Sequence, residues 1–308
     1  MTTLLFSHLA CIDHDPGPGH PEMPDRLRAV LAALGGSEFD ALERRDAPLA
    51  ETAQIVRLHD AAYVAHVFGA VPDEGRVRLD PDTALSPGSG EAALRAAGAV
   101  CAAVDAVAAG EAKNAFCAVR PPGHHAEHAQ AMGFCLFNNV AIAAGQARAV
   151  HGYNRVAVVD FDVHHGNGTQ HLFDTDGDSF FGSTHQYPYY PGTGAADETG
   201  VGNIVNVPLA AGDGGVAFRA AMNGTILPAL GDFAPDFILI SAGFDAHRDD
   251  PLAMLNFVED DYAWATSEIS RVADDCCDGR LVSTLEGGYD LGALGRSAAA
   301  HVRALMAA

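Results

Sequence analysis

The sequence predicts an α/β fold: a single domain in which a mostly parallel β-sheet carries helices on both faces. Short apolar runs, rich in β-branched or aromatic residues, alternate along the chain with longer alanine-rich stretches. These runs are nearly continuously apolar, which is typical of strands that are buried on both faces of a parallel sheet. No repeat or low-complexity linker divides the 308 residues, so we expect one domain over residues 1–308.

The individual elements follow from these patterns and from the Gly, Pro and Asp residues that bound them. The predicted strands are 116–119, 156–161, 179–183, 204–207, 237–241 and 281–285. The predicted helices are 24–33, 91–109, 138–150, 215–231, 260–276 and 291–306. Two segments rich in Pro and Gly, 84–90 and 186–202, are predicted to be loops over the sheet.

The composition limits the classes of molecule that the protein is expected to bind. The formal net charge is −22, from 40 acidic and 18 basic residues, which disfavours direct nucleic-acid binding. The same charge favours cationic partners such as lysine side chains or polyamines, although it could serve solubility alone. No window holds 18 consecutive apolar residues, so we expect no membrane span. The first residues lack a secretory pattern, and the six cysteines lack zinc-finger or redox spacing; both predict a cytoplasmic protein.

The most informative stretch is 160–168, Asp-Phe-Asp-Val-His-His-Gly-Asn-Gly, which directly follows an apolar run. Asp162 and His164 are two residues apart, so at the end of an extended strand their side chains point to the same side. An oxygen donor and a nitrogen donor that converge in this way suit a divalent cation. The alternative at this point is a polar strand end that caps a helix.

Titratable side chains also follow three other predicted strands. The segments are 120–125 (Arg-Pro-Pro-Gly-His-His), 242–247 (Ala-Gly-Phe-Asp-Ala-His) and 286–290 (Glu-Gly-Gly-Tyr-Asp). Ligands of open α/β sheets bind outside the carboxyl ends of the strands, and the neighbouring glycines allow close approach of the backbone. Convergence of four such strand ends favours an active site over a polar strand end.

The residue types suggest a metal centre with one open position. Asp162, His164 and Asp245 are the predicted ligands, and they leave room for water and substrate, as in a catalytic zinc site. An Asp, His, Asp set does not separate zinc from iron(II).

The remaining groups have the chemistry of proton transfer and oxyanion stabilisation. One of His124 and His125 is predicted to be a general base, and the other an acid or an electrostatic partner. Asp160 and Asn167 are the predicted partners of the two imidazoles. A carboxylate raises the basicity of its histidine whereas an amide only orients it, so we expect unequal pKa values for the pair. Tyr289 is predicted to donate a hydrogen bond to a developing oxyanion.

Eight motifs run in order across nearly the whole chain. They are Gly19-His-Pro-Glu22 with Pro24-Asp-Arg26, Leu79-Asp-Pro-Asp82-Thr, Arg120-Pro-Pro-Gly-His-His125, Met132-Gly-Phe-Cys-Leu-Phe-Asn-Asn139, Asp160–Gly168, Tyr190-Pro-Gly-Thr-Gly194, Ser241-Ala-Gly-Phe-Asp245 and Leu285-Glu-Gly-Gly-Tyr289. Together they resemble the histone deacetylase superfamily of the arginase–deacetylase fold, in its class II and bacterial branch. Asn167, which is Asp in class I members, supports that branch.

The resemblance implies zinc-dependent removal of an acyl group from an amine, typically acetyl from a lysine side chain. It places the zinc ligands, the tandem histidines and the tyrosine on the residues predicted above. It also implies an acyl channel walled by Phe134 and by Tyr190, where eukaryotic members usually have Phe. Asp82 matches a rim carboxylate that holds the substrate backbone, and Gly133, Leu252 and Gly287 complete the substrate-binding set.

The resemblance further implies two structural potassium ions. The residues of the first site are Asp160, Asp162, His164, Ser183 and Thr184, largely through backbone oxygens. The residues of the second site are Phe173, Asp176, Ser179 and Asn203.

Three alternatives stay open. In an acetylpolyamine amidohydrolase with the same machinery, an acidic gatekeeper can stand where Leu252 aligns; the leucine favours acyl-lysine peptides, but Asp249 and Asp250 nearby keep polyamines in play. A two-metal ureohydrolase needs a second set of ligands, and the sequence shows one complete set. A non-catalytic acyl-lysine binding module would be a different class of protein.

Arg26 either lies at the inner end of the channel or simply pairs with a carboxylate. The sequence does not indicate the oligomeric state.

Overall fold

The computed structural model describes residues 2–308. Its strands are β1 (Thr3–Ser7), β2 (Glu43–Asp46), β3 (Val77–Arg78), β4 (Ala84–Leu85), β5 (Asn114–Cys117), β6 (Val156–Asp160), β7 (Ser179–Gln186), β8 (Ile204–Leu209), β9 (Phe237–Ala242) and β10 (Leu281–Leu285). Eight of them form one sheet in the order β2-β1-β5-β10-β9-β6-β7-β8, and all neighbours are parallel. Strands β3 and β4 pair with each other in an antiparallel ribbon.

The helices connect these strands. They are α1 (Asp25–Ala33), α2 (Thr52–Ile55), α3 (Ala61–Gly69), α4 (Ser89–Ala108), α5 (Asn139–His151), α6 (Asn167–Phe173), α7 (Gly215–Ala221), α8 (Leu227–Phe233), α9 (Glu259–Cys277) and α10 (Leu291–Ala307). A π-helical turn, Met222–Ile226, joins α7 to α8. Two short 3₁₀ turns lie at Leu9–Ile12 and Ser37–Phe39.

The central strands are buried because helices cover the sheet. Helices α4 and α5 pack together and contact β5 and β6, while α1, α9 and α10 form a second packed group. All residues of β5, β6, β9 and β10 are buried. A fully buried Val, Ile or Phe side chain contributes about 1.5–3 kcal/mol, so these apolar runs fix the middle of the sheet. Among residues 2–308, no helix is both long and apolar enough to cross a bilayer.

Most of the predicted elements are confirmed, and the exceptions have physical reasons. The sequence did not predict β1 or β2; β2 is an edge strand of sequence Glu-Arg-Arg-Asp with largely exposed side chains. Charged edge strands carry no apolar signal. The predicted strand 116–119 lies two residues earlier, as β5. The prediction of a loop at 84–90 was partly wrong, since this segment contains β4 and the start of α4.

The parallel arrangement explains where polar groups collect. In the register of the sheet, Asp160 at the end of β6 lies opposite Ser241 of β9, and Ser241 lies opposite Thr284 of β10. Strand β5 lies on the far side of β10. The segments that follow these four central strands therefore leave the same edge of the sheet side by side, as expected for a ligand site.

Candidate active site

Three of the predicted residues form a compact, buried cluster. The ligating atoms of Asp162, His164 and Asp245 all lie within 4.8 Å of one another. His164 Nδ1 is 3.1 Å from Asp162 Oδ1 and 3.1 Å from Asp245 Oδ2. A positive charge between them stabilises two buried carboxylates this close to one nitrogen. Either a protonated His164, whose pKa these two carboxylates raise to about 10 against the effect of burial, or a divalent cation supplies it.

Backbone amides that follow two strands, β6 and β10, hold the two carboxylates. Val163 N–H donates to Asp245 Oδ1 at 2.8 Å, and Gly287 N–H donates to Asp162 Oδ2 at 2.8 Å. A Cβ atom at Gly287 would overlap the carboxylate oxygens of both aspartates, so this position requires glycine. Gly287 thus supports the cluster, and its predicted role in substrate binding stays a prediction.

The tandem histidines have different partners, as predicted. His124 Nδ1 lies 2.9 Å from Asp160 Oδ2, whereas His125 Nδ1 lies 2.8 Å from Asn167 Oδ1. The two imidazole ring centroids are 4.0 Å apart, and His125 also lies edge-on to His164 at 5.8 Å. Both tandem histidines are therefore positioned through Nδ1.

The pKa values of the two histidines differ in the direction that the sequence predicts. Burial alone would lower the pKa of His124, but the negative charges of Asp162 and Asp160 raise it to about 10. Burial lowers the pKa of His125 well below its ordinary value, and the positive charges of His124 and His164 lower it further. His124 is consequently the charged member of the pair and His125 the neutral one.

Tyr289 is held from several directions. Its backbone N–H donates to Asp250 Oδ2 at 2.7 Å, and the next residue, Asp290, caps α10 by accepting from Ala293 N–H. The guanidinium of Arg26 lies 4.8 Å from the centre of the phenol ring. Burial raises the pKa of Tyr289 well above its ordinary range, and Arg26 offsets only part of this. The phenol therefore stays protonated and able to donate a hydrogen bond.

Beneath the Tyr289 loop lies a buried ion cluster that the sequence did not predict as a unit. Glu22 accepts from Arg120 at 2.5 and 2.7 Å and from Arg26 at 2.9 Å. Arg26 also donates to the backbone oxygens of Glu286 and Gly288, at 2.5 and 2.6 Å. Arg26 thus pairs with a carboxylate, as one of the two expectations had it, and braces the loop that carries Tyr289. Its place at the inner end of the channel stays a prediction.

A cavity of about 200 Å³ leads to the cluster. Its lining residues are Asp82, His125, Gly133, Phe134, His164, Tyr189, Tyr190, Leu252 and Tyr289. These include the channel residues predicted by resemblance, apart from Gly287. Tyr189 is an addition: its ring stacks on His164 with centroids 5.7 Å apart, and its hydroxyl donates to the backbone oxygen of Leu252. Its place directly before Tyr190 was the available signal.

The two predicted potassium sites differ in how their residues are placed. At the first, Asp160 Oδ1 accepts from Asp162 N–H, and the buried Thr184 Oγ1 has no hydrogen-bond partner, which suits a hard cation. This site stays a prediction.

At the second predicted potassium site, the side chain of Asn203 hydrogen-bonds to the other three residues. Its Nδ2 donates to the backbone oxygens of Phe173, Asp176 and Ser179 at 2.9, 3.1 and 2.6 Å. Its Oδ1 accepts from Val201 N–H, which fixes that orientation. The four residues meet, and the three backbone oxygens converge on the Asn203 amide nitrogen. This second site also stays a prediction.

The two carboxylates near Leu252 both have partners within the protein. Asp250 is buried, and its oxygens accept from the backbone N–H groups of Leu252, Tyr289 and Asp290. Asp249 is exposed and pairs with Arg296 at 3.2 Å. The acidic pair that kept polyamines in play in the sequence thus has structural partners.

Comparison with known proteins identifies many relatives. Residues 20–305 match the family model for the histone deacetylase domain. The "Histone deacetylase-like amidohydrolase" of Pseudomonas aeruginosa is 43% identical, over 94% of this chain and 81% of that protein. "Histone deacetylase 14, chloroplastic" of Arabidopsis thaliana is 41% identical, over 98% of this chain and 76% of its own length. The crystal structure of the HDA15 HD domain superposes with a TM-score of 0.95 at 36% identity, covering 99% of this chain and 88% of that one.

Proposed function

The chain belongs to the histone deacetylase family, and we propose that it is a zinc-dependent deacetylase that removes acetyl or related acyl groups from lysine side chains of proteins or peptides. One observation carries this: the buried cluster of Asp162, His164 and Asp245 lies at the inner end of an aromatic-lined channel. Such a channel suits a long aliphatic amine that carries its amide at the tip.

The three residues of the cluster would hold the ion. When bound, a zinc ion supplies Lewis acidity and makes water a nucleophile near neutral pH. Asp162, His164 and Asp245 offer two oxygens and one nitrogen, which is the ligand number of a catalytic zinc site with an open position. Iron(II) accepts the same donors, so the identity of the ion belongs to the test below.

The protein's own groups divide the proton transfers. His125 is neutral and its Nδ1 faces Asn167, so its Nε2 accepts the proton of the attacking water. His124, held in its charged form by Asp160, stabilises negative charge that develops in the site. Tyr289 donates a hydrogen bond to the carbonyl oxygen as it gains charge. A protonated histidine of the pair then gives a proton to the leaving amine.

Among the alternatives, the structural contacts favour acyl-lysine substrates over polyamines. Leu252 puts an apolar wall where a cationic substrate would need a carboxylate, and Asp250 is turned onto backbone amides. Within residues 2–308, the cluster above is the one group of three or more potential metal ligands, which gives a two-metal ureohydrolase no support.

A rate panel tests the proposal. We expect turnover of an acetyl-lysine peptide that a chelator abolishes and that zinc restores, with much slower turnover of acetylspermidine. Iron(II) reconstitution in the absence of oxygen identifies the more active ion. Faster turnover of acetylspermidine would overturn the substrate class and leave the deacetylase intact. Tight binding of the acetyl-lysine peptide without turnover, in zinc-replete buffer, would identify a binding module instead.

A further inference from the structure

We propose that Glu127 is a positioning residue that fixes the orientation of the Asn167 amide and, through it, the tautomer of His125. The inference rests on the proposed function, in which His125 is the general base. Glu127 was not among the site residues that the sequence suggested. It lies two residues after His125, and its side chain is about one-fifth exposed.

The oxygen and the nitrogen of the Asn167 amide face different kinds of hydrogen-bonding group. Its Oδ1 lies 2.8 Å from His125 Nδ1. Its Nδ2 donates to Glu127 Oε1, and it also lies 3.3 Å from the backbone oxygen of His125 and 3.3 Å from Met132 Sδ. Every group around the nitrogen is an acceptor, and the group that faces the oxygen is a ring nitrogen.

This polarity matters because an amide is not symmetric. Rotation by 180° about the terminal bond of Asn167 would exchange the acceptor and the donor. In the observed orientation His125 carries its proton on Nδ1, which leaves the Nε2 lone pair free to accept a proton. In the rotated orientation an N–H₂ group would face Nδ1, the imidazole proton would move to Nε2, and His125 could not act as a base.

Glu127 is the strongest of the groups that oppose this rotation. It is the charged acceptor of the three, and charge-assisted hydrogen bonds are the stronger kind. The second contact of its carboxylate is with His171 Nδ1, at 2.8 Å from each oxygen, near the protein surface. The other histidine of the pair needs no such device, because the carboxylate of Asp160 accepts in either orientation.

A double-mutant cycle tests the inference with a matched background. In the wild type, Glu127→Ala should lower kcat for an acetyl-lysine peptide by about tenfold, with KM and zinc content unchanged. Glu127→Gln, which keeps one acceptor oxygen, should recover part of this loss. In the Asn167→Asp background both oxygens accept, so Glu127→Ala should cause no loss and should remove a repulsive neighbour. An equal loss in both backgrounds would overturn the inference.

A second measurement does not depend on turnover and so separates this inference from the proposed function. The ¹⁵N shifts of the His125 ring in the zinc-loaded protein report which nitrogen carries the proton. We expect a pyrrole-type Nδ1 in the wild type and in Asp174→Ala, which removes a nearby carboxylate that makes no contact with Asn167. We expect population of the Nε2–H tautomer in Glu127→Ala. An unchanged Nδ1–H tautomer in Glu127→Ala would overturn the inference even if its kcat falls.

Discussion

At the inner end of the channel, Asp162, His164 and Asp245 are buried, and backbone amides that follow β6 and β10 hold both carboxylates. At the mouth, by contrast, Asp82 is half-buried and Tyr190 is 38% exposed. Buried groups that hydrogen bonds fix in place give the precise geometry that bond making needs, whereas partly exposed groups tolerate changes of shape. We therefore expect substitutions at the inner end to act on stability and kcat, and those at the mouth to act on substrate choice.

The largest effect is expected from the ion cluster under the inner end. Glu22→Gln should lower the free energy of unfolding by about 3–5 kcal/mol, because two buried guanidinium groups lose their shared carboxylate. Urea unfolding at pH 7 measures this. Asp25→Asn removes an exposed ion pair with Arg28 on the same segment and should cost less than about 1 kcal/mol. Equal costs for the two variants would contradict the special role of the inner end.

Glu22→Gln should also change how the free energy of unfolding falls at acid pH. Burial alone would raise the pKa of Glu22, but the charges of Arg120 and Arg26 hold it well below its ordinary value. A carboxyl with a depressed pKa stabilises the fold above its unfolded value, about 4.3, and loses that contribution as the pH falls below it. The stability of the wild type should therefore fall below about pH 4 more steeply than that of Glu22→Gln.

The next effect in size is on the chemical step. Tyr289→Phe should lower kcat for an acetyl-lysine peptide by about 100- to 1,000-fold, with little change in KM, since the lost hydrogen bond forms only as charge develops. Tyr189→Phe is the matched control, because that hydroxyl contacts the Leu252 backbone rather than a reacting group. Zinc content should be equal in both variants. Near-wild-type kcat in Tyr289→Phe would remove the phenol from the mechanism.

A smaller effect is expected from Asp250, which connects the mouth of the channel to its inner end. The two oxygens of Asp250 accept from Leu252 N–H at 3.0 Å and Tyr289 N–H at 2.7 Å, so one carboxylate connects the mouth to the inner end. In Asp250→Asn one oxygen becomes a donor that faces another donor. We expect a loss of about tenfold in kcat together with a higher KM. Asp249→Asn, beside it but exposed, should change neither. A change in kcat alone would mean that the mouth is independent of this carboxylate.

The contrast between the two ends also marks what a sequence can reveal. Asp162, His164 and Asp245 could be predicted because each follows a strongly apolar strand, and parallel strands end at one edge. The contact of Glu127 with Asn167 could not, since it depends on how the turn after His125 meets the start of α6.

The inner ion cluster is a second case. Glu22 and Arg120 are 98 residues apart in the chain, and neither type of residue predicts complete burial. Long-range pairing of charges depends on the assembled fold, whereas the apolar pattern of a strand is local. Strand β2 was missed for the opposite reason, because an exposed edge strand has no apolar pattern to detect.

The smallest effect is expected at the mouth, and it should appear as a change of preference rather than a loss of activity. Leu252 lines the channel, is partly exposed, and hydrogen-bonds through its backbone, so its side chain can be replaced without disturbing the loop. In Leu252→Glu a carboxylate would face the cationic part of an acetylated polyamine. A partly exposed ion pair contributes up to about 1 kcal/mol, which corresponds to a factor of about five.

The ratio of kcat/KM for acetylspermidine to that for an acetyl-lysine peptide should therefore rise about fivefold in Leu252→Glu. Leu252→Gln, of nearly the same shape but without charge, is the control and should leave the ratio near that of the wild type. Raising the salt concentration should reduce the difference between the two variants, because partly exposed charges are screened. If Leu252→Glu instead lost kcat for both substrates alike, the mouth would share in positioning the reacting groups, and the separation between the two ends would not hold.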